Sequence, residues 1–205
     1  MKILALIAQK GGSGKTTLAC HLAVVAQEAG ECVLLIDTDP QASAMAWAAA
    51  REAEGPATLG TTAAGLERAL TTARARNVGW AIIDTAPHTA PDAAKVARAS
   101  DLVLIPCRPS ALDLAAASGT VRIVKAAGVR AAFVLSACPP RAPEIGESRD
   151  ALASHGLPVA PVLIGDRRTF ARALASGVAA TEFEPEGRAA TEIRTLWQWI
   201  AKEVA

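Results

Sequence analysis

Short, continuously apolar runs recur along the chain, and longer stretches with helical spacing separate them. The runs are KILALIA (2–8), CVLLID (32–37), WAIIDT (80–85), LVLIPC (102–107), AAFVLSA (131–137) and PVAPVLI (158–164). A strand with one wet face alternates apolar and polar positions, and these runs do not. They predict strands buried on both faces, as in a parallel sheet. The spacing between them predicts helices over 15–29, 41–53, 61–77, 110–128, 144–155, 167–176 and 186–205. Glu54–Gly60 and CPPRAPEIG (138–146) carry the Gly and Pro punctuation of loops. Strand–helix alternation implies right-handed crossovers. The expected fold is therefore α/β, an open, mostly parallel twisted sheet with helices on both faces. With no internal repeat and no linker, residues 1–205 read as one domain.

The last predicted helix carries Ile193, Leu196, Trp197, Ile200 and Val204 at helical spacing. Such a stripe either lies on a membrane or docks on the sheet. Glu192, Glu203 and the scarcity of flanking basic residues favour docking, so no stable membrane binding is expected.

Composition changes this picture little. Lys and Arg number 21 against 20 Asp and Glu, so bulk charge announces no polyanion partner, although a local basic patch is compatible with it. Cys20, Cys32, Cys107 and Cys138 form no C-x-x-C pair and lie in or beside apolar runs. They read as buried thiols in a reducing cytosol rather than as a metal site. No apolar run reaches the roughly 20 residues of a membrane span. The apolar start leads straight into a glycine loop, so it reads as a first strand of a cytoplasmic protein rather than a signal peptide.

That loop, AQKGGSGKTT (8–17), concentrates the chemistry. Glycines let backbone N–H groups converge on phosphate oxygens, and a following helix N-terminus adds partial positive charge. Gly11, Gly12, Ser13, Gly14, Lys15, Thr16 and Thr17 are thus the candidate phosphate cradle, with Lys15 on the β- and γ-phosphates and the Thr16 hydroxyl on Mg²⁺. The common pattern G-x-x-x-x-G-K-[ST] would require glycine at position 9, where Gln9 stands beside an additional Lys10. Carboxylates follow at strand ends: Asp37 and Asp39 in LLIDTDPQ, and Asp84 in AIIDTAP. The carboxyl ends of parallel strands face the ligand crevice. Asp84 suits a Mg²⁺ partner acting through water. Asp39 suits a residue that orients or polarises an attacking water, with contact to the metal through water; alternatively, before Pro40, it is a helix cap.

KGGSGKTT, DTDPQAS and IIDTAP together resemble the deviant Walker A, switch I and Walker B/switch II motifs of ParA/MinD-type ATPases. LVLIPCRPSALDLAAASGTV and the C-terminal ASGVAATEFEPEGRAATEIRTL are similar to segments of small plasmid-partition ParA proteins, so the likeness spans nearly the whole chain. The resemblance implies that Lys10 is a signature lysine reaching a partner subunit's phosphates across an ATP-sandwich homodimer. It implies Lys15, Thr16 and Asp84 as phosphate and Mg²⁺ groups, Asp37 as part of switch I, and Asp39 as the water-activating residue. It further implies slow, partner-stimulated ATP hydrolysis, non-specific DNA binding, a nucleoid-associated ATP state and a centromere-binding or cargo adaptor protein. Switch II departs from many relatives at Ala86 and His88, and His88 is a candidate contact to switch I or a partner.

The adenine contacts rest on position, and the DNA contacts on clustered basic residues, densest in DRRTFARA, where Arg168 and Arg172 stand one turn apart on the predicted helix. The loops CRPS (107–110) and CPPRAP (138–143) are placed to border an adenine ring, with Pro109 the chosen residue. Arg141, Arg149, Arg167, Arg168 and Arg172 are the candidate DNA contacts, with Arg130 beside them and Arg122 and Lys125 as a second group. The alternatives are a MinD-like positioning ATPase and a small-molecule ATP-dependent ligase of the same fold.

Overall fold

Leu4 and Leu6 of the first strand enter one apolar cluster, while Ile3 and Ala5 enter another on the opposite side. The later strands divide in the same way, Leu35 from Ile36 and Ile82 from Ile83. Period-two geometry with both faces apolar leaves no wet face, so helices must cover each side. The computed structural model describes residues 1–87 and 90–204. Its elements are β1 (Lys2–Leu6), α1 (Lys15–Glu28), β2 (Val33–Asp37), α2 (Ser43–Ala49), β3 (Ala57–Gly60), α3 (Leu66–Ala75), β4 (Trp80–Asp84), α4 (Ala90–Ala99), β5 (Leu102–Cys107), α5 (Ala111–Ala127), β6 (Arg130–Leu135), α6 (Glu144–Ala153), α7 (Arg168–Ala175), α8 (Ala180–Phe183) and α9 (Arg188–Glu203).

The strands form a six-stranded, all-parallel sheet in the order β3-β2-β4-β1-β5-β6. From β1 the chain steps outward through β2 to β3, then returns through β4, β5 and β6 in the opposite sense. Right-handed crossovers then require α1 and α2 on one face and α3, α4 and α5 on the other. The two clusters have this membership: Leu18, Leu22 and Trp47 on one side, Leu66, Val96 and Val121 on the other. The register sets Leu6 beside Asp84, and Asp84 beside Asp37, so the glycine loop and both aspartates emerge together at the carboxyl edge.

α9 docks as its stripe predicts. Ile193, Leu196, Trp197, Ile200 and Val204 are buried with α1, and Trp197 meets Trp80 edge-on at 4.7 Å. Each large side chain so buried contributes about 1.5–3 kcal/mol, which fixes the helix on the sheet. No helix among the described residues is long and apolar enough to cross a membrane.

Three expectations change. The run 158–164 is not a strand. Pro158 and Pro161 lack the N–H a ladder needs, and only isolated bridges, Phe133 to Val159 and Cys138 to Gly165, follow β6. Ala57–Gly60, expected as loop, pairs with β2 as edge strand β3. Residues 90–99, left without an element by the spacing, form α4. Among the cysteines, Cys20, Cys107 and Cys138 are buried, whereas Cys32 is exposed just before β2. Burial pushes the Cys107 and Cys138 thiols up to about 12 and about 11, which leaves them unreactive at neutral pH.

Candidate functional site

The glycine loop leaves β1 and enters α1 through Gly14, at φ 100°. Gly12 is also left-handed, at φ 72°. A Cβ at either position would be strained, so the backbone amides of this turn are available to a ligand only because glycine stands there. The Lys15 side chain is buried and donates from Nζ to the Lys10 carbonyl at 3.3 Å, which holds the turn closed. Burial lowers its pKa, and Asp84 and Asp39 oppose that shift.

Asp84 is buried at the end of β4. Its side chain is fully buried, and neither carboxylate oxygen has a hydrogen-bond partner among the described residues. Burial pushes its pKa up to about 7. The Thr16 side chain and Lys15 oppose the rise, Asp37 and Asp39 add to it, and Thr16 stops short of hydrogen-bond geometry. An uncompensated buried carboxylate costs free energy unless a cation meets it. Asp84 and Thr16 offer hard oxygen ligands beside a lysine and a glycine loop, the donor set that suits Mg²⁺. The residues present therefore fit a Mg²⁺–nucleotide pair.

Asp37 and Asp39 do different work. Asp37 accepts from the backbone N–H of Asp39 at 3.0 Å, Ala44 at 3.0 Å and Met45 at 3.1 Å. Its Oδ1 is taken by the turn at Asp39 and its Oδ2 by the first turn of α2, so both oxygens are committed to backbone and its geometry is that of a helix cap rather than of a nucleotide contact. The cap that Pro40 suggested for Asp39 thus falls to Asp37, because α2 starts only at Ser43. Asp39 is half-buried, and its Oδ1 accepts from Gln41 N at 2.9 Å. It faces the Lys15 ammonium closely enough to oppose, with Asp84, the lowering that burial imposes on that group's pKa.

Gln9 and Lys10 are strapped to α5. Gln9 N donates to Thr120 Oγ1 at 3.2 Å, and its carboxamide fills space left open by Gly119. Lys10 Nζ pairs with Asp113 Oδ2 at 2.5 Å. Asp113 is 6% exposed and Lys10 35%. The Ser110 hydroxyl also meets Asp113 and caps α5. The absent first glycine thus has a structural replacement, a side chain packed on a neighbouring helix.

A cavity of about 430 Å³ opens beside the loop. Ser13, Gly14 and Thr17 form one wall; Arg108, Ser136, Gly165, Asp166, Arg167 and Phe170 face them. Ser136 Oγ donates to the Ser13 carbonyl at 2.8 Å, joining the loop to the end of β6. Of the CRPS loop, Arg108 lines this cavity and Pro109 does not; CPPRAP supplies none of its lining. The segment after 164 is the part that sequence reasoning missed. It enters only because Cys138 and Gly165 bridge, a long-range contact without a local signal.

The candidate DNA residues are not gathered on one layer. α7, with exposed Arg168 and Arg172, packs on the α1 face through Phe170, whereas α6, with Arg149, packs on the opposite face through Leu152. Arg167 is held by Glu192 in a 2.5 Å ion pair that raises its pKa, so its charge is already spent. Arg141 lies exposed at φ 59° in the turn before α6, and Arg130 donates to the Glu203 carbonyl. His88 lies outside the described residues.

An all-parallel sheet with a glycine loop opening its first helix, and acidic groups at neighbouring strand ends, defines a P-loop nucleotide-binding protein. The chain belongs to the family of the CobQ/CobB/MinD/ParA nucleotide binding domain, which it matches over residues 4–180, and is a ParA/MinD-type ATPase. It is 33% identical over 209 residues to maintenance of carboxysome distribution protein A of Gloeobacter kilaueensis, an alignment covering 99% of this chain and 94% of that protein. Its fold is similar to septum site-determining protein MinD complexed with Mg-ADP from Pyrococcus horikoshii, at TM-score 0.81 and 17% identity, covering 98% and 96% of the two chains. It is equally similar to apo McdA of Cyanothece, at TM-score 0.81 and 16% identity over 100% of both chains.

Proposed function

We propose that this protein is a positioning ATPase that binds Mg·ATP, dimerises face to face on it, and associates with DNA without sequence preference until a partner stimulates hydrolysis. The observation that carries the reading is the Asp84 carboxylate, without a partner among the described residues, beside Lys15, Thr16 and a loop that holds a second lysine. Lys15 would bind the β- and γ-phosphates, the loop amides would cradle them, and Thr16 and Asp84 would hold Mg²⁺, Asp84 through water. Mg²⁺, when bound, neutralises phosphate charge and orients the terminal phosphoryl group. Asp39 orients the attacking water, with Gln41 N fixing one of its oxygens. Lys10 supplies the cation that a face-to-face pair of nucleotides requires, since two triphosphates in close approach repel one another.

The full-length relative named for carboxysome distribution supports positioning of a protein assembly as one form of cargo; the ParA-like segments support plasmid or chromosome partition as another. α7 offers the simplest DNA surface, Arg168 and Arg172 being exposed one turn apart. The test is ATP turnover and DNA binding measured together, with ATP and with ADP, across salt concentrations. DNA affinity that rises with ATP and falls steeply with salt is expected. Turnover accelerated by a metabolite and indifferent to DNA would replace the proposal with a small-molecule ligase.

A further inference from the structure

We infer that α2 is a mechanical link through which the nucleotide loop sets the state of the α7–α8 unit, and that Arg51 is the positioning residue at its far end. The nucleotide-sensing and DNA parts of this inference rest on the function proposed above.

One end of α2 is anchored in the site. Asp37, at the carboxyl edge of β2, accepts the backbone N–H groups of Ala44 and Met45, and the intervening turn carries Asp39. Ala42, which enters the helix, sits at φ 52°, ψ 37°, a left-handed conformation that an alanine adopts only when its surroundings impose it. The turn between Asp39 and α2 is thus held away from its relaxed geometry.

The other end is fastened to the C-terminal part of the chain. The Arg51 side chain is only 5% exposed. Its Nη1 donates to the Gly177 carbonyl at 3.0 Å and to Glu182 Oε2 at 2.9 Å, while Nη2 donates to Glu182 Oε1 at 2.7 Å. Nε donates to the Gly55 carbonyl at 2.7 Å, and the guanidinium lies over the Trp47 ring at 5.0 Å. Trp47 itself donates to the Val178 carbonyl at 3.3 Å. Gly177 is left-handed, and a Cβ there would collide with the Ala50 carbonyl, so the two backbones touch without a side chain between them. Glu182 also accepts Ala179 N, which caps α8. A bidentate guanidinium with this many fixed acceptors transmits displacement instead of absorbing it.

What lies beyond the joint gives the link its use. Residues 176–179 join α7 to α8, and Glu182 lies in α8. α7 presents Phe170 and Leu174 to the cavity beside the glycine loop and Arg168 and Arg172 to solvent, with Arg172 over the Phe183 ring at 5.1 Å. A base bound in that cavity would meet α7 directly, in either nucleotide state. The γ-phosphate reaches it through Asp39, α2 and Arg51, so this second route reports ATP against ADP.

Hydrogen exchange over residues 166–184 tests the inference, in Mg·ADP and in Mg with a non-hydrolysable ATP analogue, with molecular mass followed by light scattering. Wild type is expected to exchange differently in the two nucleotides. Glu182→Gln, which keeps an acceptor for Ala179 N, is expected to lose that difference while residues 10–17 stay protected in both states; Arg51→Ala should do the same. A wild-type-sized difference in Glu182→Gln, no difference in wild type, or loss that merely tracks failure to dimerise overturns the link. DNA affinity measured on the same samples separates the readings. If wild type shows the exchange difference but binds no DNA, the DNA function falls and the link stands.

Discussion

Replacing Asp113 with Asn tests what the Lys10 pair does in the resting protomer. Lys10 now pairs with its own Asp113, and it must leave if it is to meet a partner's phosphates. Asn keeps the size of the side chain and its contact with Ser110, but removes the charge. A charge-assisted bond is worth about 1.5–3 kcal/mol when buried, and exposed pairs about 0.2–1 kcal/mol. With the lysine one-third exposed and the carboxylate buried, about 1–1.5 kcal/mol is a reasonable value. A symmetric dimer releases two lysines, so the constraint doubles to about 2–3 kcal/mol, or roughly 30- to 150-fold in the dimer dissociation constant. Sedimentation velocity with a non-hydrolysable ATP analogue, over a range of protein concentrations, measures it. Asp113→Asn is expected to dimerise more tightly than wild type by that factor. Unchanged or weaker dimerisation would refute the reasoning and make Asp113 a scaffold for Lys10 in the dimer.

Lys15→Ala should abolish ATP hydrolysis, because its ammonium is the buried cation of the loop; a coupled phosphate-release assay checks this. Asp39→Ala should retain ATP binding yet accumulate as dimer in light scattering, since only the water-orienting group is removed. Arg168→Ala and Arg172→Ala should each weaken DNA binding uniformly across sequences and reduce the salt slope by about one, as read by fluorescence anisotropy. His21 is buried and neutral, and burial lowers its pKa to about 4. The unfolded chain takes up its proton below about 6.5, so the His21 contribution is intact above that pH and is lost as pH falls towards 4, by about 2 kcal/mol between pH 7 and pH 5. Asp84 titrates in the opposite sense, so the informative quantity is the stability of wild type minus that of His21→Gln in urea melts; this difference should fall by that amount over the same window.

Local signals carried much of this protein. Unalternating apolar runs specified five of the six strands, and helical spacing specified α1, α5 and α9 to within a residue or two at most ends. The glycine loop and the acidic strand ends were readable because phosphate chemistry needs those residue types at a strand-to-helix turn. β3 and α4 escaped notice because short, polar or alanine-rich segments have little pattern of their own. The run 158–164 had the composition of a strand, but its prolines withheld the N–H groups that pairing needs.

What tertiary structure alone decided was the division of labour among groups that look alike in sequence. Asp37, Asp39 and Asp84 all stand near strand ends, yet one is a helix cap, one a half-buried residue of the turn before α2 and one a buried carboxylate without a partner among the described residues. Of the five candidate arginines, one is spent on Glu192, and the others fall on opposite helix layers or an intervening turn. Lys10 meets Asp113 across 103 residues, and Arg51 meets Glu182 across 131. Sequence patterns report what a segment prefers by itself, whereas hydrogen-bond partners and desolvation are set by which segments the crossovers bring together.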